Sequence, residues 1–191
     1  VPVHKGSTVF FDNVAAMRSR TWLDRSGYTY GLHGTPTSFT LEERIATLEG
    51  GTHTMLVSSG LAAVTMVDIA LLKSGDQVLL PNNVYAPNKN FTRTELAAWG
   101  IGHAVYDAMD VASLAAAITP KTKLVWLEAA GSVTMEFPDL RSLIRVVRDR
   151  APLAGIALDN TWGAGIAFDA FALADGLGVD VTVHALTKYP S

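Results

Sequence analysis

Residues 77–106 read QVLLPNNVYAPNKNFTRTELAAWGIGHAVY, and the order of patterns in that stretch decides the fold. Gln77–Leu80 is a short apolar run closed by Pro81-Asn82-Asn83, which is turn chemistry. Asn88–Trp99 has helical length and stops at Gly100. Gly102–Tyr106 is apolar again. A strand, a helix and a second strand in succession predict a crossover unit with parallel strands.

The same alternation continues outward. Before the quoted stretch, Thr54–Val57 reads as a buried strand and Gly60–Lys73 as an apolar helix. After it come a short helix over Val111–Ile118, a strand over Lys123–Glu128 and an amphipathic helix over Asp139–Arg150. That last helix turns Leu140, Leu143, Ile144 and Val147 inward, and Arg141, Arg145 and Arg148 form a solvated basic stripe. Ile156–Leu158 and Val181–Val183 are further strands. The fold class is therefore α/β, a mostly parallel sheet flanked by helices, with right-handed crossovers. Residues 1–39 show no sustained period and read as an arm that docks elsewhere; residues 40–191 form the main domain. Thr40 and Glu43 have capping-box spacing, with Leu41, Ile45 and Leu48 on one face and Gly50-Gly51 ending the helix.

Composition narrows the function classes. The chain has 191 residues, 49% of them hydrophobic, and a formal net charge of −3. A weakly acidic chain carries no nucleic-acid footprint, and no apolar run is long enough to span a bilayer. It has no cysteine, so disulfides and thiolate metal sites are excluded. The histidines at 4, 33, 53, 103 and 184 lack metal-ligand spacing, and no metal is expected. The first residue is not Met and the last ones stop in mid-pattern, so a fragment is expected.

In an open α/β sheet, ligands bind beyond the carboxyl ends of the strands. Four candidates fall there. Ser58-Ser59-Gly60-Leu61 opens a helix, where free N–H groups and the dipole favour an anion; a plain tight turn reads the same way. Tyr85 follows a strand, placed either to stack on a planar ring or simply to pack. Asp159 ends the run Gly155–Leu158. Its carboxylate needs a cationic or donor partner, such as a pyridinium N–H, or else forms a turn or cap. Lys188, with Thr187 before it, follows Val181–Val183. It is either a surface lysine or an amine whose desolvation makes it nucleophilic. The order of glycine turn, aromatic, Asp and Lys matches what pyridoxal 5'-phosphate (PLP) requires: a Schiff-base lysine and an acid for the pyridine nitrogen.

The chain resembles the Cys/Met-metabolism PLP-dependent enzymes of fold type I, and among them the cystathionine β-lyase branch. The resemblance runs from about Tyr28 to the end. It rests on Tyr30-Gly31 and Gly34-Thr35-Pro36-Thr37, Leu48-Glu49-Gly50-Gly51, Ser59-Gly60, Tyr85, Asp159-Asn160-Thr161-Trp162 and Thr187-Lys188-Tyr189. It implies an aspartate aminotransferase-like large domain. Lys188 would hold PLP and move a proton, Asp159 would pair with the ring nitrogen, and Tyr85 would stack on the ring. Gly60, the Leu61 amide and Thr187 would hold the phosphate. Tyr30 would reach the phosphate of a neighbouring subunit's cofactor, which implies a homo-oligomer, a dimer of dimers in the cytoplasm.

The implied activity is β-elimination on a sulfur amino acid, cystathionine giving homocysteine, pyruvate and ammonia in methionine biosynthesis. Gly131-Ser132-Val133-Thr134-Met135-Glu136, Trp162 and Ala185 look β-lyase-like. A γ-lyase, γ-synthase or cysteine desulfhydrase is the alternative, and a non-catalytic truncated paralogue is a further one. Two departures stand out. Leu32 replaces an Arg that in the family bonds the neighbour's phosphate, with His33 beside it. The family's C-terminal domain, with its substrate-carboxylate Arg, is not in this sequence.

Overall fold

The computed structural model describes residues 2–21 and 27–189. Part of the expected arm, residues 22–26, and the closing Pro190-Ser191 lie outside them. The chain divides into two compact units, Val1–Leu56 and Val57–Ser191.

The first unit is less irregular than its sequence reads. It holds a short helix α1 (Val14–Arg18), whose N-cap Asn13 accepts the Ala16 N–H. Helix α2 (Pro36–Glu49) starts earlier than the spacing of Thr40 and Glu43 predicts. The cap is Thr35, paired reciprocally with Ser38, and Pro36 stands at the first helical position. A proline there lacks only an N–H that would be unpaired anyway, so it fixes the start. The Thr40 hydroxyl instead donates to the Pro36 carbonyl inside the helix. The buried face is also different. Glu42, Ala46 and Glu49 are buried, while Leu41 and Leu48 are exposed. Glu42 is kept by a donor, the Leu56 N–H at 2.9 Å. Thr54–Val57 is not a strand but irregular chain.

The second unit is a five-stranded, wholly parallel sheet in the order β2-β1-β3-β4-β5. The strands are β1 (Gln77–Pro81), β2 (Gly102–Tyr106), β3 (Thr122–Glu128), β4 (Gly155–Asp159) and β5 (Val181–Val183). The helices are α3 (Gly60–Leu71), α4 (Ala86–Phe91), α5 (Val111–Ala117) and α6 (Leu140–Arg150). The helix expected over Asn88–Trp99 begins two residues earlier and changes to a π-turn over Thr92–Leu96.

The central strands are apolar throughout because both faces are covered. Alternate residues then join different cores. Leu79, Val125, Leu127, Ile156 and Leu158 pack with α5 and α6. Val78, Leu80, Leu124, Trp126 and Ala157 pack with Val64 of α3 and Leu96 of the π-turn. Of the basic stripe on α6, Arg148 is not merely solvated. It donates to the Gly178 carbonyl and pairs with Asp180 at 2.9 Å, and Asp180 in turn accepts the Ile156 N–H. No helix among the described residues is long and apolar enough to cross a membrane.

One buried charge in this core has a measurable signature. Asp68 of α3 is fully buried; one oxygen accepts the Trp126 indole N–H at 2.8 Å and the other has no partner. Burial pushes its carboxyl up to about 7, against the pull of the indole bond. An acid whose pKa rises on folding binds more protons folded than unfolded. Its contribution to stability is therefore present at low pH and is lost as pH climbs from about 4 to about 7. Melting temperatures of Asp68→Asn should fall less than those of the unsubstituted protein between about pH 5 and about pH 8. Parallel pH profiles for the two proteins would show that Asp68 ionises freely.

Candidate functional site

The strand order reverses between β1 and β3. From β1 the chain moves outward to β2, then returns past β1 to build β3, β4 and β5. Loops leaving β1 and β3 therefore part in opposite directions, and a crevice opens between them. Six of the seven residues singled out in the sequence lie in this unit, at or beyond the carboxyl ends of its strands or at the start of α3.

Asp159 is the last residue of β4 and sits level with Glu128 on β3 and Val183 on β5. One Asp159 oxygen accepts the Thr161 N–H at 3.0 Å. Burial raises its pKa, opposed by the Thr161 hydroxyl and N–H and by the charge of His184. It is a carboxylate in a place that wants a further donor.

Thr161 ties this strand end to the next. Its hydroxyl oxygen accepts the Ala185 N–H at 3.0 Å, and the Asn160 N–H donates to the Val183 carbonyl. Lys188 follows on a turn, its own N–H donating to the Ala185 carbonyl at 3.0 Å. The Trp162 and Tyr189 rings then meet at a tilt of 31°, with centroids 4.7 Å apart. The Asp159 loop and the Lys188 turn are thus fastened at two points. Thr187 and Lys188 are exposed.

The start of α3 meets the same turn. Ser59 caps the helix and accepts the Ala62 N–H, while its carbonyl accepts that of Ala63. Helix geometry leaves the Gly60 and Leu61 N–H groups pointing outward from the first turn. Gly60 is there because the approach is close. A Cβ on it would lie 2.8 Å from the Ala185 Cβ. This turn follows irregular chain rather than a strand, so the expectation that each candidate follows a strand fails for Ser59-Gly60-Leu61.

Tyr85 caps α4 after β1, without a side-chain cap bond and with its side chain partly exposed. Its N–H donates to Glu128 at 2.8 Å. Sequence reading passed over Glu128. A carboxylate ending an apolar run reads as the place where a strand meets water, yet Glu128 is 2% exposed. The usable signal was its position at the end of a fully apolar strand, followed by the small residues Ala129-Ala130-Gly131. Tyr30 belongs to the first unit; it is half exposed and meets the His33 ring edge-on. Leu32 is exposed.

The Cys/Met metabolism PLP-dependent enzyme model matches residues 1–191, the entire chain. The chain belongs to that family. The family's cystathionine beta-lyase of Escherichia coli is 36% identical over 188 residues, covering 98% of this chain and 47% of that protein. That of Salmonella typhimurium is 37% identical, with the same coverage. Among solved structures, a Campylobacter jejuni protein assigned as an O-acetylhomoserine (thiol)-lyase superposes with a TM-score of 0.85 at 29% identity. It covers 99% of this chain and 45% of its own, and carries a pyridoxyl-lysine phosphate. The chain spans about half the length of the curated relatives it matches.

Proposed function

We propose that this chain is the PLP-binding part of a carbon–sulfur lyase that acts by β-elimination on a sulfur amino acid, cystathionine first. The observation that carries the reading is the fastening of three elements at one place. The α3 start meets Ala185, Ala185 bonds Thr161, and Thr161 holds Asp159, with Lys188 on the same turn.

These residues fit a phosphorylated pyridine aldehyde. A partly buried acid at a strand end, its pKa raised by burial, suits a protonated ring nitrogen. Outward N–H groups at Gly60 and Leu61 suit a phosphate, with the Thr187 hydroxyl as a further donor. When bound, PLP supplies an electron sink for the charge released at the substrate α-carbon. Asp159 would keep the ring nitrogen protonated and so keep that sink open. Lys188 would tether the cofactor and move the α-proton. Tyr85 would stack on the ring. The C–S bond electrons leave with the thiol, which takes a proton. The remaining three-carbon fragment takes up water and yields pyruvate and ammonia. Tyr30, from the first unit, reaches the phosphate held by a neighbouring copy, so the active form is a homo-oligomer.

The full-length protein loaded with PLP should release pyruvate and homocysteine from cystathionine. Release of 2-oxobutyrate would move it to the γ-lyases, and no keto acid at all would end the lyase reading. The γ-type alternative has its own support, the assignment of the Campylobacter neighbour as an O-acetylhomoserine (thiol)-lyase.

A further inference from the structure

Glu128 has no part in the chemistry described above, yet it is a buried acid at the switch point of the sheet. We propose that Glu128 is a positioning residue. Its carboxylate ties the loop carrying Tyr85 to the end of β3, and so sets where the Tyr85 ring stands. This rests on the reading of Tyr85 as the ring-stacking residue.

The geometry explains why a pin is required. β1 and β3 are neighbours in the sheet, but their loops diverge, and no strand ladder joins two diverging loops. Tyr85 itself is weakly held. Its side chain is 37% exposed, and it caps α4 without a side-chain bond. Where its ring lies therefore depends on its backbone. Its carbonyl accepts the Asn88 and Lys89 N–H groups within α4, and the tie to β3 is the 2.8 Å bond from its N–H to Glu128. That one side chain therefore reaches from the end of β3 across to the loop that leaves β1.

A second tie holds the loops in register farther out. The Asn83 amide donates to Thr134 at 3.0 Å and to Glu136 at 3.3 Å. Gly131 leaves room for it, since a Cβ there would lie 2.2 Å from the Asn83 Nδ2. Asn83 fixes the loops against each other, while Glu128 fixes the amide from which the Tyr85 ring extends.

Packing alone does not account for an acid at this position. The charged and titratable groups facing Glu128 are Asp159 on β4 and Tyr106 on β2, and neither is a cation. A buried carboxylate without a cation is costly, and an apolar side chain of similar size would fill the space at less cost. The carboxyl is pushed up to about 7, first by burial, with the Ser132 and Tyr85 donors lowering it and Asp159 raising it. Near neutral pH its hold on the Tyr85 amide thus depends on an oxygen at the right distance rather than on full charge.

Two variants separate reach from charge. Glu128→Asp keeps the charge but is one methylene too short to reach the Tyr85 amide. Glu128→Gln keeps the reach and loses the charge. Both are compared with the unsubstituted full-length protein, PLP-loaded, by three readouts. These are borohydride reduction with mass spectrometry of Lys188, visible circular dichroism of the bound cofactor, and kcat and KM. All three proteins should carry the reduced cofactor on Lys188. Glu128→Asp should lose most of the visible dichroism and roughly 10- to 100-fold in kcat, the scale of a misplaced positioning group, with KM little changed. Glu128→Gln should stay within about threefold of the unsubstituted protein.

A Glu128→Asp enzyme with full dichroism and kcat, differing only in melting temperature, would reduce Glu128 to a structural role. Equal damage in Glu128→Gln would show that charge, not reach, is what counts, and would also overturn the proposal. An unsubstituted protein with no cofactor on Lys188 would instead strike the PLP reading itself, which is a separate failure.

Discussion

Lys188→Ala in the full-length protein is expected to abolish borohydride-trapped cofactor and to lower pyruvate formation by roughly a thousandfold or more. Two losses combine. The tether that orients the cofactor disappears, and so does the amine that moves the α-proton; positioned proton transfer alone is worth about 10²- to 10⁴-fold. The substitution should leave the fold intact. Lys188 is exposed on a turn, and the turn is held by its backbone N–H, by Thr161 and by the Trp162–Tyr189 ring contact. A normal melting curve with lost activity is therefore the expected pattern. A variant that kept more than about a tenth of the activity would remove the lysine from the mechanism.

Asp159→Asn should be the second most damaging change, and it should act on the cofactor before the substrate. Asp159 ends β4 beside the buried Glu128, and burial raises its pKa despite the Thr161 donors and the nearby His184. Such a group gains most from a cationic donor brought to it. Removing one partner of a buried charge pair costs about 3–5 kcal/mol, or roughly 10²- to 10⁴-fold in rate or affinity. Titration of the unloaded variant with PLP should show weaker binding, and kcat/KM for cystathionine should fall with it. The asparagine can still accept the Thr161 N–H, so a global loss of structure is not expected. A kcat/KM within about threefold of the unsubstituted enzyme would dismiss the pairing.

The sheet was legible in the sequence because its strands are covered on both faces. Runs such as Gln77–Leu80 and Lys123–Glu128 have no other use for so many branched apolar residues in so few positions. Thr54–Val57 misled for the same reason. It is short and apolar, but no strand in the described chain pairs with it. The start of α2 was misplaced because two threonines compete as caps, and Pro36 decides for Thr35. The places of Asp159, Tyr85 and Lys188 at or beyond strand ends were legible from the apolar runs before them. Glu128 was not, because its burial depends on β1 lying beside β3. That adjacency is a property of topology and leaves no local mark. Asp68 was hidden in the same way, in a helix whose neighbour Trp126 is remote in sequence.

The strand order β2-β1-β3-β4-β5 also has a consequence for how the molecule is made. Pairing β1 with β3 requires the chain to close over the intervening α4, β2 and α5, and the Gly60–Ala185 approach closes over nearly the whole unit. Such distant closures spend chain entropy before any contact rewards it. The site is therefore expected to form late in folding, and a bound cofactor would act as the clasp that shifts the balance toward the closed form.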